Sequence, residues 1–235
     1  MSSPAASPPD VGVLLVAAGA GVRAGSGEPK QFRPIQGVPM LVRSLRPFTA
    51  HPAVCHVVIA LPAEVAGRPP AWLASFSGPR VTLVRGGATR TESVRAALAS
   101  LPRDLPIVLV HDAARPFVPR ETIEGVIARA RTGVAAVAAI PVSDTIKEVE
   151  DGERVRRTVE RSRLWRAQTP QGFPRAMFEE AFRRLDPRAP APTDDAEICE
   201  RAGFPVEVVA DSVHNFKITT PEDFRLAEVL VRESV

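Results

Sequence analysis

The sequence has few cysteines and no long apolar run, and both shortages restrict what the protein can be. Its two cysteines, Cys55 and Cys199, lie far apart and outside any CxxC or Cys/His cluster, which argues against a zinc site or a disulfide framework. No apolar run approaches the roughly 20 residues that a membrane-spanning helix needs. We therefore expect a cytoplasmic protein of a reducing compartment, with no membrane partner.

The chain also has little net charge, and its first ten residues carry no basic side chain. The 30 basic and 27 acidic side chains leave a net charge of +3, too small and too evenly spread to indicate a nucleic-acid partner. Residues 1–10 are rich in Ser, Ala and Pro and contain no Lys or Arg, so they lack the marks of a secretory signal or a transit peptide. We predict a disordered leader over residues 1–10 and a single domain over residues 11–235.

Lysine is rare, with only three among the 30 basic residues: Lys30, Lys147 and Lys217. A composition so rich in Arg, Ala and Pro is typical of GC-rich coding, which replaces Lys with Arg wherever either residue serves. The remaining lysines are candidates for sites that need a compact ammonium group rather than a planar guanidinium. The alternative is chance survival on the surface.

The apolar residues occur in short continuous runs that alternate with helix-like stretches. Continuous runs indicate strands covered on both faces, as in a parallel sheet, and their alternation with helices indicates βαβ units. The predicted strands are 11–16, 54–61, 81–84, 107–110 and 134–140, and the predicted helices between them are 40–49, 91–101 and 120–131. The sequence thus predicts a doubly wound, Rossmann-like α/β domain with a mostly parallel sheet.

The pattern changes after Pro141. Residues 141–168 are charged and contain two alternating stretches, 145–150 and 154–160, around a Glu150-Asp151-Gly152 turn signal. We interpret this segment as a protruding β-arm, a hairpin with too little apolar surface to form its own core, which packs on something else such as another subunit. Beyond it we predict helices 175–185 and 194–202, a strand at 205–209 and a helix that begins at Pro221.

A glycine-rich loop follows the first predicted strand. The run Ala17-Ala18-Gly19-Ala20-Gly21-Val22-Arg23 allows a backbone to approach a nucleotide closely, and its free N–H groups can bind phosphate. The spacing also matches the dinucleotide fingerprint of dehydrogenases, but Gly25, Gly27 and Pro29 prevent the helix that this fingerprint requires. A loop that carries Arg23 and Lys30 suits a triphosphate better.

Two further polar clusters follow predicted strands, where ligands bind in open parallel sheets. Residues 86–93, with sequence GGATRTES, indicate either a capped turn that contacts a base or a phosphate, or a simple capped turn between strand and helix. Residues 111–116, with sequence HDAARP, place Asp112 at a strand end, where a nucleotidyl-transferring enzyme would hold Mg²⁺ or a ribose hydroxyl. The alternative for Asp112 is a helix cap or a partner for Arg115. We expect His111 to be a structural hydrogen-bonding residue rather than a base.

These motifs together resemble the 2-C-methyl-D-erythritol 4-phosphate cytidylyltransferase family over about residues 11–230. The HDAARP segment is the most specific of them. The others are the glycine-rich loop with Pro29-Lys30-Gln31, Asp144-Thr145-Ile146-Lys147, Leu164-Trp165, Gln168-Thr169-Pro170-Gln171, Thr193-Asp194 and Lys217-Ile218-Thr219.

The resemblance implies a reaction in which CTP and methylerythritol 4-phosphate give the CDP-linked product and pyrophosphate with Mg²⁺, in the non-mevalonate isoprenoid pathway. It implies that Arg23 and Lys30 stabilise the transition state, and that Arg161 and Lys217 position the second substrate. Asp112 would meet the ribose and hold the metal. The further substrate-binding residues that it implies are Ala17, Ala18, Gly19, Gly87, Arg90, Ser93, Ala113, Arg115, Thr145, Thr169 and Thr193.

The attacking group is a phosphate oxygen that is already ionised, so the reaction needs cations on a preorganised loop rather than a general base. The arm also indicates how the chain assembles, because a hairpin that protrudes from its domain is most simply stabilised by the same hairpin of a twofold-related subunit. We expect a homodimer in which Arg161 and Thr145 complete the partner's site.

Other functions remain in competition. A ribitol-5-phosphate cytidylyltransferase would share most of the motifs and differ only in the arm and the polyol pocket. A guanylyl- or sugar-nucleotidyltransferase would share the loop but lack the HDAARP segment. A non-catalytic nucleotide-binding module is disfavoured by the presence of Arg23, Lys30, Asp112 and Lys217 together.

Overall fold

The computed structural model describes residues 9–19 and 29–233, and these form one central sheet with helices on both faces. The strands are β1 Val11–Val16, β2 Pro34–Ile35, β3 Val38–Pro39, β4 Val54–Leu61, β5 Val81–Arg85, β6 Ile107–Asp112, β7 Ala135–Pro141, β8 Ile146–Glu150, β9 Arg154–Val159, β10 Trp165–Pro174 and β11 Val206–Ala210. The helices are α1 Met40–Thr49, α2 Ala63–Gly67, α3 Ala71–Ala74, α4 Arg90–Ser100, α5 Arg120–Arg131, α6 Arg175–Arg184, α7 Asp195–Arg201 and α8 Pro221–Glu233.

The central sheet has seven strands in the order β11-β7-β10-β6-β1-β4-β5. Strand β1 lies between β4 and β6 and is parallel to both, with Leu14 opposite Val58 and Val110. Strand β10 runs antiparallel to its two neighbours, β6 and β7. The predicted doubly wound α/β fold with a mostly parallel sheet is confirmed, and β10 is the strand that the sequence analysis did not predict.

Two apolar layers hold the helices on the sheet. On one face, Leu45 and Phe48 of α1 pack with Ile123 and Val126 of α5. On the other face, α4, α6 and α7 form a second layer around the stacked rings of Phe173 and Phe178, whose centroids are 4.1 Å apart. Because both faces are covered, the inner strands β1, β6 and β7 are buried along almost their whole length, which explains their continuous apolar runs.

The predicted arm over residues 141–168 contains the antiparallel hairpin β8–β9. Its strands are largely exposed, and Val149 and Val155 face each other across the hairpin with about half of each side chain in solvent. The end of the predicted arm belongs to the main sheet, because Trp165 of β10 pairs with Pro141 of β7.

Of the predicted leader over residues 1–10, residues 1–8 lie outside the described part of the chain. Asp10 is bound to the domain, because its backbone N–H donates to Ala53 O at 3.1 Å and its carboxylate pairs with Arg131. Among the helices that the structure describes, none is long and apolar enough to cross a bilayer.

Candidate active site

A cavity of about 350 Å³ lies at the carboxyl ends of β1 and β6, where open parallel sheets bind ligands. The two strand ends are aligned, since Val16 is opposite Asp112 and the Ala113 N–H donates to Val16 O at 3.0 Å. The described residues that line the cavity are Val16, Ala17, Ala18, Gly19, Lys30, Gln31, Gly87, Ala88, Thr89, Arg90, Ser93, Asp112, Ala113, Ala114 and Lys217. The structure therefore brings together most of the residues that the sequence analysis assigned to the nucleotide.

The start of the glycine-rich loop is held by Gln31. This side chain is buried, and its Nε2 donates to Ala17 O at 2.6 Å and to Gly19 O at 3.3 Å. The neighbouring Lys30 donates from Nζ to Ile218 O at 2.9 Å, which places its ammonium group at the cavity wall. Arg23, the other predicted transition-state residue, lies outside the described residues.

The wall opposite this loop is the beginning of α4. Thr89 caps the helix by accepting from the Glu92 N–H at 3.1 Å, while Glu92 Oε2 accepts from the Thr89 N–H at 3.2 Å. Ser93 Oγ accepts from the Gly87 N–H at 3.1 Å. A Cβ on Gly87 would overlap the Cβ of Glu92, so only glycine fits this turn.

Asp112 is the centre of charge in the cavity. Its Oδ1 accepts from Arg90 Nε at 3.1 Å, and its Oδ2 accepts from Lys217 Nζ at 2.7 Å. Burial alone would raise the pKa of Asp112, but the charges of Arg90 and Lys217 outweigh that effect and hold the pKa well below its usual range. The site thus keeps a carboxylate ionised between two cations.

Arg90 also contacts a second carboxylate, which the sequence analysis did not assign to the site. Its Nη2 lies 2.7 Å from Oδ2 of Asp195, the first residue of α7, whose side chain is 1% exposed. Within the described part of the chain, neither carboxylate oxygen of Asp195 has a hydrogen bond of good geometry. Burial raises the pKa of Asp195, and the two acidic neighbours together raise the pKa of Arg90 against the opposing effect of its burial.

Gln171 of β10 fixes the position of Asp195. Its side chain is buried, and its Oε1 accepts from the backbone N–H groups of Asp195 at 3.0 Å and Ala196 at 2.8 Å. Its Nε2 donates to Asp194 Oδ2 at 2.9 Å. Helix α7 is therefore attached to the central sheet at the point where its first residue meets Arg90.

The antiparallel direction of β10 brings Thr169 to the end of β6. The Asp112 N–H donates to Thr169 Oγ1 at 3.1 Å, and Thr169 Oγ1 lies 2.9 Å from His111 Nδ1. His111 Nε2 lies 3.0 Å from Arg115 O, which can only accept, so Nε2 carries a proton. Burial lowers the pKa of His111 to about 4, so the ring is neutral and Nδ1 accepts a hydrogen bond from the Thr169 hydroxyl. Thr169 Oγ1 thus links His111 to the backbone of Asp112, and His111 makes structural hydrogen bonds, as expected.

Five predicted substrate residues lie elsewhere in the described chain and do not line the cavity, namely Thr169, which is buried beside Asp112, and the four that follow. Arg115 is buried and donates from Nη1 to Asn215 O at 2.8 Å. Thr193 is exposed and donates from Oγ1 to Glu197 Oε2 at 2.7 Å. Thr145 and Arg161 are exposed at the arm, where Arg161 donates to Ser143 O.

The comparisons with known proteins agree over almost the whole chain. A profile of the family described as "IspD: 2-C-methyl-D-erythritol 4-phosphate cytidylyltransferase" matches residues 11–233. The chain is 45% identical to the 2-C-methyl-D-erythritol 4-phosphate cytidylyltransferase of Symbiobacterium thermophilum, covering 95% of this chain and 93% of that protein. It is 44% identical to the corresponding protein of Salinibacter ruber, covering 93% and 91% of the two chains.

Solved structures give the same result. The crystal structure of the cytidylyltransferase from Thermus thermophilus has a TM-score of 0.77 and 36% identity, covering 93% of this chain and 98% of that chain. The Francisella tularensis structure has a TM-score of 0.77 and 28% identity, covering 94% and 99%. These relatives are named for methylerythritol phosphate, so the ribitol alternative is not favoured. The chain belongs to the 2-C-methyl-D-erythritol 4-phosphate cytidylyltransferase family, nucleotidyltransferases that move the cytidylyl group of CTP to this polyol phosphate in isoprenoid synthesis.

Proposed function

We propose that this chain performs the transfer in a site with two parts, and that the ion pairs of Asp112 with Arg90 and Lys217 mark where the parts meet. The nucleotide half, which takes CTP, consists of residues 17–19, Lys30, residues 86–93, Asp112 and Ala113. The polyol half, which takes methylerythritol 4-phosphate, consists of Arg115, Thr169, Lys217 and Thr193, together with Thr145 and Arg161. The double ion pair carries this proposal, because it places two cations beside a cavity that fits a nucleotide.

The chemistry follows from charge. A phosphate oxygen of the polyol phosphate attacks the α-phosphorus of CTP, the new O–P bond forms, and the bond to the β-phosphate oxygen breaks so that pyrophosphate leaves. The main barrier is the approach of two anions and the charge that develops at the α-phosphorus. Lys30 at the cavity wall and Arg23 on the glycine-rich loop would neutralise that charge, while Lys217 would hold the phosphate of the second substrate.

The cytidine is proposed to bind through small residues and backbone groups. Ala17, Ala18, Gly19 and Gly87 line the cavity and leave room for a flat ring. Ser93 is buried and holds the Gly87 N–H, so its role is to fix the turn that faces the base. Arg90 and Ala113 complete this wall next to the ribose and the triphosphate.

The residues present fit Mg²⁺, which commonly binds one or two carboxylates together with substrate phosphates and water. Asp112 is the carboxylate that lines the described cavity, and no cluster of three metal-ligating side chains occurs among the described residues. Both oxygens of Asp112 are engaged by cations, so Arg90 or Lys217 must move before a metal ion can bind there. When bound, Mg²⁺ would supply positive charge to the phosphates of CTP.

The polyol half is proposed to be completed by a second copy of the chain. Arg161 and Thr145 are exposed at the arm rather than in the cavity of their own chain, and the Val149–Val155 pair leaves apolar surface on the hairpin uncovered. A twofold-related copy would cover that surface and bring both residues to the partner's site. We also place the enzyme in the cytoplasm, because both cysteines are free thiols.

The direct test measures pyrophosphate release from CTP with Mg²⁺ and either methylerythritol 4-phosphate or ribitol 5-phosphate. The expected result is release with methylerythritol 4-phosphate, and a raised KM for this substrate in Lys217→Ala. Preferred turnover of ribitol 5-phosphate, or an unchanged KM in Lys217→Ala, would contradict the assignment of the polyol half.

A further inference from the structure

Asn215 is the only asparagine in the sequence and lies two positions before Lys217. It is fully buried and does not line the cavity, so it does not touch a ligand there. In a chain whose composition disfavours asparagine, a single buried one points to a position where an amide is required. Its contacts explain that requirement.

The Asn215 side chain donates twice. Its Nδ2 donates to Thr169 O at 2.7 Å and to Asp211 Oδ2 at 2.6 Å. Both partners can only accept, so this position needs two N–H donors on one short side chain. Aspartate, leucine and alanine cannot supply them, and a serine hydroxyl can supply only one.

The Asn215 backbone holds two more segments of the polyol half. Its carbonyl oxygen accepts from Arg115 Nη1 at 2.8 Å and from Gln168 Nε2 at 2.8 Å. One residue thereby joins the HDAARP segment, the irregular part of β10 around Thr169, and the loop that leads to Lys217.

This junction is anchored to the helical layer through Asp211. Asp211 Oδ1 accepts from Thr122 Oγ1 of α5 at 2.8 Å and from the Ser212 N–H at 2.7 Å. A continuous series of hydrogen bonds therefore runs from α5 through Asp211 and Asn215 to Thr169, whose Oγ1 accepts from the Asp112 N–H. The Asn215 amide nitrogen and carbonyl oxygen thus bond to segments of the polyol half and, through Asp211, to helix α5.

We propose that Asn215 is a positioning residue for the second substrate, which sets the geometry of Thr169, Arg115 and Lys217 without touching the substrate itself. This inference rests on the proposed assignment of those three residues to the polyol half. Its consequence is selective: loss of the Asn215 amide should impair the binding of methylerythritol 4-phosphate and leave CTP binding unchanged.

The test compares Asn215→Ala and Asn215→Asp with wild type by steady-state kinetics and by calorimetric titration of CTP. Each variant should raise the KM for methylerythritol 4-phosphate by about 5- to 10-fold and lower kcat, because Thr169 O loses its donor. The CTP dissociation constant should stay within about twofold. A general loss of stability would not divide the two substrates in this way.

The double variant Asp211→Asn/Asn215→Asp keeps the inference testable if the single variants fold poorly. The amide introduced at position 211 could donate to the carboxylate introduced at position 215 while its oxygen still accepts from Thr122 and Ser212. The bond to Thr169 O is then lost, and an acceptor faces that carbonyl oxygen, while the bonds of residue 211 are kept. We expect this protein to melt above Asn215→Asp and still to show the raised KM. A wild-type KM in the folded double variant would overturn the proposal.

Arg175 provides a matched control. It is a buried polar side chain that joins separate segments, donating to Leu101 O and Pro102 O, but it lies at the opposite end of the sheet. Arg175→Met should lower the melting temperature and leave both KM values unchanged. A KM increase for methylerythritol 4-phosphate in Arg175→Met as large as in Asn215→Ala would overturn the specific role of Asn215. Lys217→Ala, measured in parallel, tests the proposed function separately.

Discussion

The two proposed halves of the site are built in different ways. The nucleotide half is formed by segments that directly follow β1, β5 and β6, and its described residues already enclose a cavity within one chain. The polyol half draws on β10, the loop at residues 211–219 and an exposed arm, and only Lys217 of its six proposed members lines the described cavity. One half is local in sequence, whereas the other depends on contacts between distant segments.

The difference reflects what each half has to achieve. A nucleotide can be recognised by backbone groups and small residues on loops whose position the parallel sheet fixes. A small polyol phosphate offers hydroxyl groups and one charged group, so it needs several long polar side chains placed from different directions. In the proposed polyol half, the long-range bonds of Gln171, Asn215 and Arg90 would supply that placement.

The largest effect is expected at Lys30, where the nucleotide half meets the transferred phosphorus. Lys30→Ala removes an ammonium group that would face the developing charge, and loss of such a contact typically costs about 10²–10³ in turnover. The measurement is kcat with both substrates saturating, together with calorimetric CTP binding to show that the pocket remains.

Lys30→Arg tests whether the site needs a compact ammonium group or only a positive charge. The broad guanidinium cannot take the place of a compact ammonium whose Nζ is held 2.9 Å from Ile218 O, so we expect a substantial loss of turnover here too. Near wild-type turnover in Lys30→Arg would refute the argument from lysine rarity.

Asp112→Asn tests the charge that joins the two halves. The protein should fold, and its apparent affinity for Mg²⁺ in turnover should fall at least about tenfold. A Mg²⁺ titration measures this, with Asp104→Asn as a control at an exposed aspartate outside the cavity. An unchanged Mg²⁺ requirement would remove Asp112 from the metal role and leave it as the partner of Arg90 and Lys217.

The stability difference between wild type and Asp112→Asn should also depend on pH. Because the pKa of Asp112 is lower in the folded protein than its unfolded value of about 3.9, its ion pairs stabilise the fold fully above that pH and lose their effect as the pH falls. In chelator, the stability difference between wild type and Asp112→Asn should be constant above about pH 5 and should narrow below about pH 4. A difference that grows towards acid pH would contradict the depressed pKa.

The sequence predicted the parts of the molecule whose signals are local. The bounds of β1, β4, α1 and α5 are those predicted, since each is a continuous or strongly periodic apolar segment with clear ends. The nucleotide loops were found in the same way, because small residues and a helix cap are visible in short motifs. Asp112 was found because it ends a strand.

Strand β10 was not predicted, and the reason is physical. It carries Gln168, Thr169, Pro170 and Gln171 in a position between two strands, so its composition is that of a loop. Those polar side chains are tolerated in the interior because distant partners such as Asn215 and the start of α7 satisfy their hydrogen bonds. The contact of Asp195 with Arg90 was not predicted either, because it joins segments that are far apart in the sequence. In the sequence, the only sign of this hydrogen-bond network is that Asn215 is the single asparagine.

The hairpin β8–β9 carries an exposed pair of valines, Val149 and Val155. Val149→Asp places a charge on the exposed valine pair of the hairpin, and if a second copy covers this surface the dimer dissociation constant should rise about tenfold, measured by sedimentation velocity. Activity should then fall on dilution while CTP binding persists. Val208→Asp, at an exposed valine of the edge strand β11, is the matched control and should leave the association unchanged. Equal effects of the two substitutions would exclude the arm as the dimer contact.

The smallest expected signal is also the most direct test of how the polyol half is assembled. Lys30→Ala and Arg161→Ala proteins should each be inactive, the first through its own site and the second through its partner's. When their subunits exchange, each mixed dimer holds one site with both defects and one with neither. With random exchange half of the dimers are mixed, so activity should return to about a quarter of wild type. If Arg161 served its own chain, every site would carry one defect and no activity would return. The absence of recovery, with subunit exchange demonstrated, would therefore contradict a polyol half that is shared between two chains.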